Sequence, residues 1–315
     1  MTPVELTLLA KRAATAAGFE ACGVTRLGPS PTADRLDAWL AQGYAGDMRY
    51  LQRQAKVRKE PSLAWPEAVS VVVVLHNYYG PQPLTAGQYR VARYAQAADY
   101  HKLTKQKVAV IGDSLVEAAG HGTWRTYVDA GPMPERELAR LAGLGWMAKN
   151  TMLIHPRLGS FSFIGCLLTD LELEPDAPFE ADRCGSCTRC LDACPTDAFP
   201  APHVLDATRC ISYLTIEAKG DIPEPLRAGV GDNLFGCDIC QDVCPWNVSF
   251  AQETAEEGFR PLLDDDDWPT LEEILAMDER GFDARFGETA IERAGLKGLQ
   301  RNARVVRENL TRQAR

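Results

Sequence analysis

Residues 184–195 read CGSCTRCLDACP. Three cysteines recur at intervals of three, a fourth follows four residues later, and a proline comes next. A second run, Cys237-x2-Cys240-x3-Cys244-Pro245, repeats the latter part of the pattern, with Cys210 alone upstream. Three thiols within seven residues suit a short loop wrapped around three corners of a 4Fe-4S cube. In bacterial two-cluster ferredoxins the fourth cysteine, before the proline, ligates the other cube. The expected wiring is therefore crossed: Cys184, Cys187, Cys190 and Cys244 on cluster one, and Cys194, Cys210, Cys237 and Cys240 on cluster two. Tetrahedral zinc also takes four thiolates, but its sites commonly use two separated Cys pairs. Residues 211–236, which include ISYLTIEAKG, separate Cys210 from the rest of its set and depart from a plain ferredoxin.

The chain has 315 residues, 45% of them apolar, ten cysteines and a net charge of −9. Eight cysteines fall between Cys184 and Cys244; Cys22 and Cys166 stand apart and read as small buried apolar residues. In a reducing compartment such a cysteine count points to metal or catalysis rather than disulfides. The opening MTPVELTLLAKRAATAAGF has helical spacing and no basic segment before its apolar residues, so it does not read as a signal peptide. No apolar run approaches the roughly 20 residues of a bilayer span. The expected location is the cytoplasm. The charge is uneven: from Ile291 to Arg315 seven Lys/Arg face two Glu, a net +5 that leaves −14 on the rest. A basic tail on an acidic body suits docking of a polyanion, or simply a solvated helical face.

Periodicity predicts helices over 4–17, 33–42, 99–119 and 135–142, the last two closed by glycines. The run VSVVVVL (69–75) reads as a strand buried on both faces, and 21–25, 123–129 and 160–168 also have strand character. Residues 1–170 thus form an α+β unit. A Pro-bearing acidic connector (171–180) leads to the cysteine unit, which ends near residue 250. An acidic loop, Asp264–Asp267, follows, then helices over 271–277 and 298–312. The expected domains are 1–170, 171–250 and 251–315.

Two linked clusters make a wire, and a wire needs a redox centre beyond it. The segment GLGWMAK carries glycines at the wrong spacing for a phosphate loop, and none of the five histidines makes an i, i+4 metal pair. The block YVDAGPMPERELARLAGLGWMAKNTMLIHPRLGSFSFIG (127–165) closely resembles the corresponding block of epoxyqueuosine reductases. So do ARYAQAADYHK (92–102), RCISYLT (209–215) and FGCDICQDVCPWN (235–247). The resemblance runs in order over nearly the whole chain.

That resemblance implies a cobalamin-dependent iron–sulfur oxidoreductase of tRNA processing, which reduces the epoxide of epoxyqueuosine at the wobble position to give queuosine. It also implies a nitroreductase-like cobalamin-binding domain, a ferredoxin-like domain with two 4Fe-4S clusters, and a short C-terminal helical region. Asp129 matches the family's general acid, and burial beside the corrin is expected to raise its pKa. Cobalamin contacts are expected at Arg58, Ala92, Asp129, Leu153, Ile164, Ser212, Gln241 and Asp242. Tyr94, Asp99 and His101 are candidates for touching cofactor or substrate. No Asp-x-His-x-x-Gly segment is present, so the cofactor is expected with its base detached and no strong protein ligand. A tRNA substrate gives the basic tail a use: Lys219, Arg293, Lys297 and Arg301 are the expected phosphate contacts. The expected partners are the tRNA and a low-potential donor such as a ferredoxin or flavodoxin, and the expected state is a monomer. Competing readings are a cobalamin-dependent small-molecule reductase resembling reductive dehalogenases, and a non-catalytic electron carrier.

Overall fold

The run SVVVVLHN becomes strand β2 (Ser70–Asn77), whose residues are all buried. It lies inside an antiparallel sheet of β1 (Ala21–Arg26), β2, β7 (Ser162–Thr169) and β4 (Trp124–Val128), in the order β1-β2-β7-β4. An antiparallel strand usually alternates apolar and polar residues; this one does not, because helices cover both faces. Val72 and Val74 pack with Leu6, Ala10, Val108, Ile111 and Leu115 from helices Pro3–Ala16 and Tyr100–Ala119. Val71, Val73 and Leu75 pack on the other face with Trp65, Met133 and Leu138. Each such buried side chain contributes about 1.5–3 kcal/mol. The computed structural model describes residues 1–81, 88–264 and 267–313. Asp265, Asp266 and Arg315, counted above in the acidic loop and the basic tail, lie outside the described residues.

Helix Tyr100–Ala119 starts where Asp99 accepts from the His101 N–H at 2.9 Å and stops at Gly120, which takes φ 73°. That N-cap brings Tyr100 and His101 to the end of the sheet where β4 leaves it. Short or polar elements escaped periodicity. Helix Arg49–Lys59 is too polar to show an apolar stripe. Strands β5 (Trp146–Met147) and β6 (Leu153–Ile154) form a hairpin of two residues each. Strands β3 (Arg90–Val91) and β8 (Asn233–Phe235) pair in parallel across more than 140 residues of sequence.

The cysteine unit contains two four-residue helices, Arg189–Asp192 and Ile239–Asp242, which pack on one another, one within each half of the duplicated pattern. Residues 211–236 add helices Ile211–Ile216 and Glu224–Val230 and strand β8. The last helix, Gly295–Gln313, packs on this insertion. One apolar cluster draws Tyr89 and Val91 from the first expected domain, Leu234 and Phe235 from the second, and Trp268, Phe282 and Leu299 from the third. One core cluster thus draws on all three segments. Among the described residues no helix is long and apolar enough to cross a membrane.

Candidate active site and cluster housings

Asp129 sits just past the end of β4 with φ 55°, outside the usual range for an L residue. Arg58 holds the loop that follows, donating from Nη2 to the Gly131 carbonyl at 2.8 Å and from Nη1 to the Met133 carbonyl at 3.1 Å. The Asp129 N–H donates to Glu135 Oε1 at 2.6 Å. The Asp129 side chain is 67% exposed. One side of its carboxylate is open to solvent and the others are crowded by protein. Tyr100 donates its hydroxyl to Asp129 Oδ2 at 2.6 Å, and His101 Nε2 lies 3.5 Å from the same oxygen. His101 Nδ1 lies 2.7 Å from Asp99 Oδ1. The Tyr100 ring stacks on Phe163 at 3.9 Å and on the His101 ring at 4.1 Å, so packing sets both rings.

The Asp129 pKa is lowered, because the His101 hydrogen bond favours the carboxylate more than desolvation opposes it, and Tyr100 adds to the effect. Burial works against a charged His101, but its bonds to Asp129 and Asp99 outweigh this and raise its pKa. Glu135 is pushed up to about 7 by burial and by the Asp129 charge. These shifts favour a proton on His101 or Glu135 over one on Asp129.

Other expected cofactor contacts fall into groups. Arg58 and Asp129 meet through the 129–133 loop. Leu153 and Ile164 belong to the apolar cluster beneath it, which also contains Met133. Arg58 Nε and Ser162 Oγ are buried without a hydrogen-bond partner among the described residues. Open polar atoms of this kind suit a ligand with a polar periphery. Ala92 donates its N–H to the Phe235 carbonyl, and a Cβ on Gly236, at φ 70°, would come within 2.5 Å of the Ala92 Cβ. Next to Ala92, Arg93 bonds Asp238 at 3.2 Å and Asp242 at 2.7 Å. Gln241 is buried and accepts from Ser160 Oγ at 2.8 Å. Ser212 is turned toward Cys210: its N–H and hydroxyl, with the Tyr213 N–H, face the sulfur. Tyr94 is partly buried and packs against Tyr100, Phe163 and Phe235.

The eight clustered thiols fall into two sets. Cys184, Cys187, Cys190 and Cys244 line a cavity of about 360 Å³ together with Ile154 and Trp246. In the second set, burial raises the Cys237 thiol, and Cys210 and Cys194 are near enough to raise it further. Cys240 is raised by burial, then by Cys237 and Cys210. Buried thiols crowded together resist ionising unless a cation takes up their charge, which iron does. Among the described residues no three Cys, His or carboxylate groups converge on a point suited to one ion. The first set instead surrounds a space. All ten cysteines are free of disulfides. Cys166 is fully buried, and burial pushes the Cys22 thiol up to about 12, as small core residues require.

The expected phosphate contacts need one correction. Arg301 is buried and donates to the carbonyls of Leu214 and Ala218, both at 2.6 Å, and of Gly220 at 2.8 Å. It locks the last helix onto the insertion and is unavailable to a phosphate. Arg293 is held by Glu217 at 2.9 Å but remains 57% exposed. Lys219 and Lys297 are exposed. Sequence reasoning passed over Tyr100, Glu135, Trp146 and Lys149. Tyr100 stood between two residues it did single out, and the others belonged to the quoted 127–165 block.

Residues 183–247, which contain all eight clustered cysteines, match the 4Fe-4S double cluster binding domain. Residues 58–130 match the family described as epoxyqueuosine reductase QueG. The chain is 40% identical over 292 residues to the epoxyqueuosine reductase of Leadbetterella byssophila, covering 92% of this chain and 95% of that one. This chain belongs to the epoxyqueuosine reductase family. The Escherichia coli K12 epoxyqueuosine reductase is 37% identical, with 98% and 83% covered. Among solved epoxyqueuosine reductases, one crystallised with an epoxyqueuosine-modified tRNA-Tyr stem loop superposes with TM-score 0.86 at 32% identity, covering 97% of this chain and 81% of that one. The Bacillus subtilis epoxyqueuosine reductase, with an aspartate-bearing catalytic loop swung out of the active site, has TM-score 0.84 at 31% identity, covering 98% and 83%.

Proposed function

We propose that this chain reduces the epoxide of epoxyqueuosine at the wobble position of tRNA to the alkene of queuosine. The reaction takes two electrons and two protons and releases the epoxide oxygen as water. The observation that carries the reading is the near full-length likeness to an epoxyqueuosine reductase solved with its modified stem loop, joined to an exposed carboxylate that accepts from the Tyr100 hydroxyl and faces His101, whose other ring nitrogen meets Asp99. Bound cobalamin, supplied through two 4Fe-4S clusters, would provide the electrons. Arg58, Ala92, Leu153, Ile164, Ser212, Gln241 and Asp242 are the residues assigned to hold it, supported by the open polar atoms of Arg58 and Ser162. Cys184, Cys187, Cys190 and Cys244 are assigned to one cluster, and Cys194, Cys210, Cys237 and Cys240 to the other.

Asp129 is the group placed to touch the epoxide oxygen. It is ionised at rest, so it must gain its proton after substrate covers it. Substrate removes water from the exposed side of the carboxylate, which raises its proton affinity. His101 Nε2 then gives up its proton to Asp129 Oδ2, and Asp129 passes it to the oxygen as the carbon–oxygen bond breaks. Asp99 keeps the His101 ring oriented through Nδ1. Arg58 keeps the loop, and with it the carboxylate, in place.

Lys219, Lys297 and Arg293 are assigned to tRNA phosphates. The location is the cytoplasm, where the substrate is, the donor is a ferredoxin or flavodoxin, and the chain acts as a monomer in the three-part division 1–170, 171–250 and 251–315. Anaerobic incubation of the reconstituted chain with cobalamin, a low-potential reductant and tRNA bearing epoxyqueuosine tests the reading. Digestion and mass analysis should show loss of one oxygen from the nucleoside, dependent on cobalamin. An unchanged nucleoside with both clusters and cobalamin verified would favour a small-molecule reductase.

A further inference from the structure

The hairpin of β5 and β6 reaches from the α+β unit onto the first set of thiols. Trp146, 2% exposed, donates its indole N–H to Cys184 Sγ at 3.4 Å. Its ring is held by Phe179, stacked at 5.7 Å, and by Trp246, edge-on at 4.8 Å. Lys149 lines the same cavity and donates from Nζ to the Gly185 carbonyl at 2.6 Å and the Cys187 carbonyl at 2.9 Å. Among the described residues no carboxylate pairs with Lys149. Its charge therefore falls on the loop between the first two cysteines without local compensation.

In the second set, and at Cys244 of the first, where the Trp246 and Asn247 N–H groups face the sulfur, the donors are local backbone groups. Ala198 N–H points at Cys194 Sγ at 3.3 Å, and the Ser212 and Tyr213 N–H groups point at Cys210. The indole and the ammonium come from outside the cysteine unit, four residues of sequence from end to end. Both act in one direction. Taking up an electron makes a cluster more negative, and a hydrogen bond to a ligating sulfur or a nearby cation favours the more negative state.

We propose that Trp146 and Lys149 are positioning residues that raise the reduction potential of the cluster held by Cys184, Cys187, Cys190 and Cys244. The inference rests on that ligand assignment. It gives the GLGWMAK segment, which fits no phosphate, a role on iron. It also makes this cluster the more easily reduced by an external donor than it would be without them. The couple is a single-electron one, and neither side chain gains or loses a proton in it.

The test is an EPR-monitored redox titration of the full chain reconstituted with iron and sulfide, with Cys244→Ala identifying which wave belongs to this cluster. Trp146→Phe keeps the ring packing and removes the donor; Lys149→Gln removes the charge; Lys149→Arg restores it. Each of the first two should shift the equilibrium for reducing this cluster about tenfold toward the oxidised form, about 59 mV for one electron. The other wave should stay in place, and Lys149→Arg should return most of the shift. Should Trp146→Phe fail to hold iron, Lys149→Gln still decides the matter. Full iron content with both midpoints unmoved overturns the proposal alone. A wild-type chain that holds only one cluster, or a Cys244→Ala chain that keeps both, overturns the ligand assignment and the proposal with it.

Discussion

Asp129 and His101 share one carboxylate oxygen's neighbourhood: His101 Nε2 lies 3.5 Å from Asp129 Oδ2, while its other ring nitrogen is 2.7 Å from Asp99. Asp129 comes from the end of a strand and His101 from the first turn of a helix 28 positions earlier. Each shifts the other's pKa, downward for the acid and upward for the imidazole. The pair thus favours a proton on the imidazole over one on the carboxylate.

Asp129→Asn should leave the cluster and cobalamin spectra intact and lower turnover about 10²–10⁴-fold, the range for loss of a general acid. Turnover within threefold of wild type, read by nucleoside mass, would remove Asp129 from the mechanism.

Activity should fall as pH rises through the raised His101 pKa, because the donor is then neutral. His101→Gln should be slow and lack that alkaline limb. The same pair links pH to stability with a definite sign. The raised His101 pKa contributes stability that is complete below about 6.5 and lost as pH rises through its folded value. The depressed Asp129 pKa contributes stability that is complete above about 3.9 and lost as pH falls through its folded value. Thermal melts should show the difference between wild type and Asp129→Asn largest between those limits; a difference independent of pH would refute the coupling.

Cys244→Ala should damage the cluster of Cys184, Cys187 and Cys190 although it lies in the second run, and Cys194→Ala should damage the other. Mössbauer and EPR spectra of the two variants decide between crossed and run-by-run wiring; damage confined to the run that carries the mutation would favour the latter.

Arg301→Met should cost on the order of 3 kcal/mol, since three carbonyls lose a charged donor at once, and should leave the salt dependence of tRNA binding unchanged. Lys219→Ala with Lys297→Ala should do the reverse, weakening binding and flattening its slope against salt. Denaturant melts and binding titrations at several salt concentrations separate the two; an unaltered slope in the lysine variant would return those residues to a plain solvated surface.

Local chemistry made much of this molecule legible. Cysteine spacing, the valine run of β2 and the Gly120 stop each act over a few residues, so the string itself carries them. The short hairpin of β5 and β6 and the β3–β8 pair were hidden because strands of two or three residues have no period, and β3 and β8 pair only across a long stretch of sequence. Arg301 was misread for a related reason. An arginine in a basic helix looks the same whether it meets solvent or three carbonyls, and only the docking of that helix on the 211–236 insertion buries it. The groups that lower the Asp129 pKa in the chain itself, His101 and Tyr100, come from a separate helix, so the sequence around Asp129 does not show them. Residue types and spacing thus determined which chemistry the chain can carry: eight thiols in two interleaved sets and an acid after a strand. Tertiary packing decided where each proton rests, which cations remain free and what touches the cysteines, since burial and charge act through space rather than along the chain.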